Sequence, residues 1–272
     1  MVEWVFEMTG VQKHYSREGL TDGILSALKE SGLDPASLTY SDLAAIDQFH
    51  TRGREATRDL ARLAEVRAGE RVLDVGCGIG GPARLLTAEL GCQVTGIDLT
   101  PEFCETAAAL SRLVNVPVDY QQANALDLPF PSESFDLVWT QHASMNIEDK
   151  DRLYAEAIRV LKPSGRFALY DVVAGANGPL HFPVPWSTLP EFSFLIPPSV
   201  VRAKVEQAGF RILHFEEGTA EALEWFQKRA ADGPRKLSLQ LVMGPEFATM
   251  VANQIRNLAE GRAGMLRAVC EK

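Results

Sequence analysis

Between residues 56 and 215 the chain switches repeatedly between two hydrophobic rhythms. Short apolar runs at Val72–Val75, Gln93–Ile97, Val118–Gln122, Phe135–Thr140, Arg166–Val172 and Phe210–Phe215 read as strands. Between them, apolar residues recur at helical spacing over Ala56–Ala64, Ala83–Leu90, Glu102–Leu113, Lys150–Leu161 and Ser199–Gln207. Gly91 ends the second of these helices and the run LKPSG stops the fourth. Strands alternating with helices imply a parallel sheet covered on both faces, an α/β fold. Two more helical patterns, Ala220–Ala230 and Glu246–Leu258, lead to a last strand at Met265–Cys270, which makes seven. Residues 1–55 read as a helical cap outside the repeating core, and 56–272 as the main domain.

The rhythm breaks once. Residues 175–198 hold six of the fifteen prolines, interleaved with Phe182, Trp186, Phe192 and Phe194. Proline removes ladder donors and stops helices, so this stretch predicts an ordered insertion with neither strand nor helix. A second insertion, over about 220–261, carries apolar residues at helical spacing, among them Leu223, Phe226, Leu241, Met250 and Leu258. Such a stripe suits a core face or a homodimer surface. The polar members Asn253, Arg256 and Asn257 are candidates to meet a substrate carboxylate or phosphate.

Composition narrows the function classes. A net charge of −9 argues against a nucleic-acid or anionic-membrane partner. No apolar run approaches the ~20 residues of a membrane span. The opening MVEWVFEMTG is acidic where a secretion signal is basic. The four cysteines, Cys77, Cys92, Cys104 and Cys270, lack metal-ligand spacing and suit reduced thiols in a cytoplasmic protein.

The chemistry concentrates in RVLDVGCGIGG, residues 71–81: a strand, a glycine-dense turn, then a helix beginning near Pro82. Glycines let the backbone approach a ligand, and the helix start offers unpaired amides. Gly76, Gly78 and Gly81 match GxGxxG, and Asp98 ends the next strand where a ribose would need it, so the spacing alone also satisfies the dinucleotide fingerprint. Asp74, two residues before Gly76, serves a cationic ligand better than a pyrophosphate. This points to S-adenosylmethionine, with its sulfonium and ammonium groups, rather than NAD.

Four segments in order, VLDVGCGIGG, TGIDLTPEF, ANALDLPFPSESFDLVWT and LKPSGRFAL, resemble the successive motifs of class I S-adenosylmethionine-dependent methyltransferases. The resemblance covers about residues 56–215. It looks closest to the sarcosine/dimethylglycine and phosphoethanolamine N-methyltransferases and the quinone-biosynthesis C-methyltransferases. DQFHTRGREATRDLA resembles the lead-in of the amine enzymes, and QHASMNIEDK shares that flavour. The resemblance implies a seven-stranded, mostly parallel sheet with an antiparallel last strand, and the two insertions as a substrate lid. It places Gly76, Cys77 and Gly78 against the methionine part of the cofactor, with Asp74 orienting that loop. Asp98 would hold the ribose hydroxyls and Leu99 would pack on adenine. Asn124 stands where an acid usually accepts from the adenine amino group, followed by Ala125; the amide keeps an acceptor and loses the charge. Gln141 would touch the methionine moiety, and Tyr15 resembles a lid tyrosine over the cofactor.

Methyl transfer from a sulfonium is an in-line displacement, so alignment and dryness do most of the work. A base is needed only when the nucleophile arrives protonated. His142, just past the fourth strand, and His50, in the lead-in, are the candidate bases or substrate ligands; no histidine–acid spacing suggests a metal. Phe182 and Trp186 could wall off water or face a cationic amine. The expectation is methylation of a small-molecule acceptor, first an amine nitrogen. The alternatives are O- or C-methylation of a natural-product or quinone-like acceptor, an NAD-dependent oxidoreductase, and a non-catalytic cofactor-binding module.

Overall fold

The apolar runs pair side by side into a single seven-stranded sheet in the computed structural model, which describes residues 10–34, 36–231 and 237–272. The strands are β1 (Arg71–Val75), β2 (Gln93–Asp98), β3 (Asp119–Gln122), β4 (Phe135–Gln141), β5 (Leu161–Ala174), β6 (Arg211–Glu217) and β7 (Ala263–Glu271). Their order is β3-β2-β1-β4-β5-β7-β6. Helices α1 (Gly10–Tyr15), α2 (Leu20–Glu30) and α3 (Ala44–Asp47) precede the sheet. Helices α4 (Gly53–Leu63), α5 (Gly81–Leu90), α6 (Pro101–Leu113), α7 (Lys150–Val160) and α8 (Pro198–Gln207) flank it, and α9 (Thr219–Ala231), α10 (Gln240–Met243) and α11 (Phe247–Ala259) lie between β6 and β7. The acidic opening read as lacking a secretion signal falls outside the described residues, apart from its last glycine. Among the described residues no helix is long and apolar enough to cross a membrane.

Alternation along the strands builds a core on each face. Val72, Leu137, Trp139 and Tyr170 bury into one, while Leu73, Val138, Phe167 and Leu169 bury into the other. A third cluster joins Ile24 and Leu28 of α2 and Ile46 of α3 to Phe103 and Leu110 of α6. An ion pair welds the N-terminal helices to the sheet layer. Arg84 of α5 donates from Nη2 to Asp47 Oδ2 at 2.8 Å, with the two side chains 0% and 2% exposed. The same guanidinium donates to the carbonyl of Ile79 and to Ser111 Oγ. Asp47→Ala would strand that cation in the interior. We expect a loss of about 3–5 kcal/mol, read from the urea midpoint; an unchanged midpoint would mean the pair contributes nothing.

Strands β1 to β5 run parallel, and β7 runs antiparallel to both β5 and β6. The reason is local. Strand β6 ends at the carboxyl edge of the sheet, the three following helices stay on that side, and β7 must therefore start there and run back, pairing Ala263 with Ala174 and Glu271 with Arg166. The 220–261 insertion is thereby held over the carboxyl edge.

Two sequence expectations need correction. LKPSG ends α7, but the strand expected from Arg166 already starts within it: β5 begins at Leu161, pairs there with Phe135, and passes through Pro163 before the ladder resumes at Arg166. Proline fits because the ladder is interrupted at that point. The 175–198 stretch is not wholly irregular either. It holds a bridge between Val184 and Ser187, a 3₁₀ turn at Pro190–Phe192, and the start of α8 at Pro198, an early helical position that suits proline.

Candidate active site

The strand order reverses between β1 and β4, which is where open α/β sheets bind ligands. A cavity of about 1640 Å³ opens there. Gly76 and Gly78 line it with φ of 76° and 52°. A Cβ on Gly76 would stand 2.4 Å from the Cβ of Ala143, so only glycine lets the turn close against the loop after β4. Gly81, the third glycine of the fingerprint, serves packing instead: a Cβ there would meet the Asp47 carbonyl oxygen at 2.1 Å.

Asp98 ends β2 and lines the cavity. Its Oδ2 accepts from the Gly78 amide at 3.0 Å and its Oδ1 from the Thr100 amide at 2.9 Å. Burial raises its pKa above the ordinary value, against the pull of these amides. One carboxylate therefore fixes the glycine turn and the start of α6 while keeping lone pairs for a ligand. Leu99, Asn124, Ala125, Cys77, Gln141 and Tyr15 line the same cavity. Asn124 Oδ1 accepts from the Leu126 amide at 3.0 Å, which orients the side chain and occupies one of its two lone pairs. The Tyr15 hydroxyl donates to Asn146 Oδ1 at 3.1 Å, so α1 reaches across to the loop after β4.

Asp74 lies elsewhere than the charge argument required. It is 1% exposed, is absent from the cavity wall, and has an unpartnered Oδ2. Burial, with a smaller contribution from Asp98, pushes its pKa to about 8, so it is protonated at neutral pH. The attraction of a cation therefore cannot be assigned to Asp74 in this geometry.

Gln141 carries a sharper signal. Its Oε1 accepts from Trp139 Nε1 at 3.0 Å and from Thr57 Oγ1 at 3.1 Å. Indole N–H only donates, so the amide orientation is fixed and Nε2 keeps its donors unpaired in a buried position. Donors without an acceptor, beside a glycine turn, suit the carboxylate end of an amino-acid-like ligand. With the Asp98 carboxylate at the end of β2 lining the same cavity, this set fits S-adenosylmethionine.

The two candidate histidines come together. The His50 and His142 rings are 6.0 Å apart, and Tyr170 lies 6.3 Å and 5.2 Å from them. His50 Nε2 sits 2.9 Å from the Gly53 carbonyl and 3.0 Å from Thr57 Oγ1. A carbonyl only accepts, so Nε2 carries the proton of the neutral ring and Nδ1 holds the lone pair. Burial lowers the His50 pKa to about 4. His142, in left-handed backbone at φ 52°, is likewise driven well below the ordinary value by burial and by His50. Both rings are neutral at pH 7.

The far wall is aromatic, with Trp186, Phe192 and Phe194 from the first insertion and Trp225, Phe226 and Phe247 from the second. Phe182 is not among the lining residues; it packs on the core beneath. Asn253, Arg256 and Asn257 are spent within the protein, on the Pro183 carbonyl, Glu260 and the His181 backbone. Thr57, Asn146, Thr100 and Phe49 were not singled out from the sequence. Thr57 had a signal, a polar residue inside the apolar stripe of α4.

Residues 73–169 match the Methyltransferase domain family. The chain is 31% identical over 224 residues to the O-methyltransferase resE of Aspergillus sclerotiorum, covering 78% of this chain and 82% of that protein. It is 35% identical over 136 residues to the methyltransferase GfsG of Streptomyces halstedii, where the match spans about half of each, 49% and 49%. Phosphoethanolamine N-methyltransferase 2 of Haemonchus contortus, solved with S-adenosylmethionine, superposes with a TM-score of 0.69 at 20% identity, over 97% of this chain and 60% of that one.

Proposed function

Because the chain belongs to the class I S-adenosylmethionine-dependent methyltransferases, we propose that it methylates a hydroxyl oxygen of a large, apolar small molecule, with His50 as the base. When bound, S-adenosylmethionine supplies an electrophilic methyl group on a positively charged sulfur. Asp98 would hold its ribose, Gln141 Nε2 its carboxylate, and Tyr15 would cover it. The cavity is larger than an amino-acid or small-amine acceptor needs, and both insertions contribute aromatic side chains to its lining, beside charged ones such as Glu221, Glu224 and Lys228.

The observation that carries the reading is the buried, neutral His50 with its proton held on Nε2. A hydroxyl arrives protonated and is a weak nucleophile until a base takes its proton. His50 Nδ1 can accept that proton, and the Gly53 carbonyl, already bonded to Nε2–H, stabilises the imidazolium that results. Thr57 and Gln141 tie the ring to Trp139 in the core, so the base is held by the scaffold. An amine that arrives as an ammonium would need the same base, so what favours a hydroxyl over the amine expected from the sequence is the run of aromatic side chains along the cavity, where an uncharged acceptor loses less on leaving water. The NAD-dependent reading has no support beyond the shared glycine spacing.

The test is a panel of neutral hydroxylated polycyclic and macrocyclic compounds, and of amines, incubated with methyl-labelled S-adenosylmethionine. Label in an ether product supports the proposal. Label confined to amines would replace it with N-methylation. Tight cofactor binding with no labelled product from any acceptor would favour a non-catalytic binding module.

A further inference from the structure

The IEDK run after β4 lines the cavity with its first three residues and ends in a buried cation. Lys150, the first residue of α7, is 4% exposed. Its Nζ donates to the carbonyls of Ser144 at 2.6 Å and Phe194 at 3.0 Å, and also to that of Ile147. Ser144 and Ile147 bracket the 3₁₀ turn after β4; Phe194 belongs to the aromatic insertion. The two strips are joined further by the Phe194 amide to the Met145 carbonyl at 2.8 Å, and by Asn146 Nδ2 to the Trp186 carbonyl at 2.7 Å. Met145, Asn146, Phe192 and Phe194 all face the cavity. The count of protons matters. Three carbonyls can only accept, and an ammonium has three N–H donors; a neutral amine has two, and its lone pair would face the third oxygen.

We propose that Lys150 is a positioning residue whose ammonium pins the turn after β4 to the aromatic insertion, holding the acceptor end of the cavity closed, and that loss of its proton opens it. Asp171 on β5 faces it and favours the charge, with its own oxygens taken by the amides of Ser144 and Val172. Lys204 on α8, paired with Asp151, opposes the charge, and Tyr154 on α7 shares the small apolar space beside it in neutral form. Burial is the largest influence and lowers the Lys150 pKa to about 8, while Asp171, pushed up to about 6, is mostly ionised at neutral pH. The latch is therefore set at neutral pH and released in mild alkali.

The consequence for turnover rests on the methyl-transfer reading; the latch itself can be tested without it. Hydrogen exchange of the free chain would be followed by mass spectrometry between about pH 7 and about pH 9.5, corrected for intrinsic rates. We expect segments 144–149 and 192–196 to exchange about tenfold faster together at the upper pH, as an unpaired buried carbonyl predicts, with β1 and β4 unchanged. Lys150→Met should show the fast exchange at both pH values, and the KM for a turned-over acceptor should rise. Wild-type segments that keep one corrected rate across this range would overturn the proposal without recourse to any variant, as would a Lys150→Met chain that retains the pH step. An absence of turnover with every acceptor would count against the methyl-transfer reading and leave the exchange result standing.

Discussion

Replacing Asp98 with alanine is expected to lower affinity for S-adenosylmethionine by about a hundredfold or more. On the proposed reading the carboxylate makes two charge-assisted hydrogen bonds to the ribose, each worth roughly 1.5–3 kcal/mol. It also holds the Gly78 and Thr100 amides, so its loss loosens the glycine turn from behind. Asp98→Asn separates the two effects only in part, because its NH2 group would face an amide N–H that needs an acceptor. Calorimetry on both variants, with thermal unfolding as the control for folding, is the measurement. Affinity within about twofold of the wild type, below ~0.5 kcal/mol, would remove Asp98 from the cofactor site.

His50→Gln is expected to reduce turnover of a hydroxyl acceptor by about 10²–10⁴-fold while leaving S-adenosylmethionine affinity intact. Glutamine can still donate to the Gly53 carbonyl but offers no basic nitrogen, so the variant removes the chemistry and keeps the anchor. Equal turnover in the variant would transfer the role to His142 or dispense with a base. The wild-type pH profile carries a second signature. With the His50 pKa near 4, the base form persists well below the range where an ordinary histidine protonates at 6.5. The acid limb of the rate should therefore lie below pH 6.

Stability follows the same linkage with a definite sign. The unfolded chain binds a proton at His50 near 6.5 and the folded chain only near 4, so stability is full above 6.5 and is lost as pH falls through that window. The difference of about 2.5 units corresponds to on the order of 3 kcal/mol from this ring. His142 acts in the same direction.

The periodic runs in the amino-acid order determined the seven strands and the helices between them, because burial on two faces leaves its mark as alternation. The glycine turn, Asp98 and Gln141 were legible for a related reason. Backbone that must approach a ligand excludes side chains, and a strand that ends at the switch point places its next residue there whatever else the protein does. Three matters were decided only by the tertiary structure. Asp74 looked like a charge for a cation and is buried away from the cavity wall, because exposure is not written in local sequence. Asn253, Arg256 and Asn257 looked free for a substrate and are bonded to the insertion and to Glu260, partners that sequence distance hides. His50 and His142, 92 positions apart, share one wall, and the tautomer that would let His50 act as a base depends on the Gly53 carbonyl. Periodicity records which face is dry; hydrogen-bond partners, and with them protonation, exist only once the chain has closed on itself.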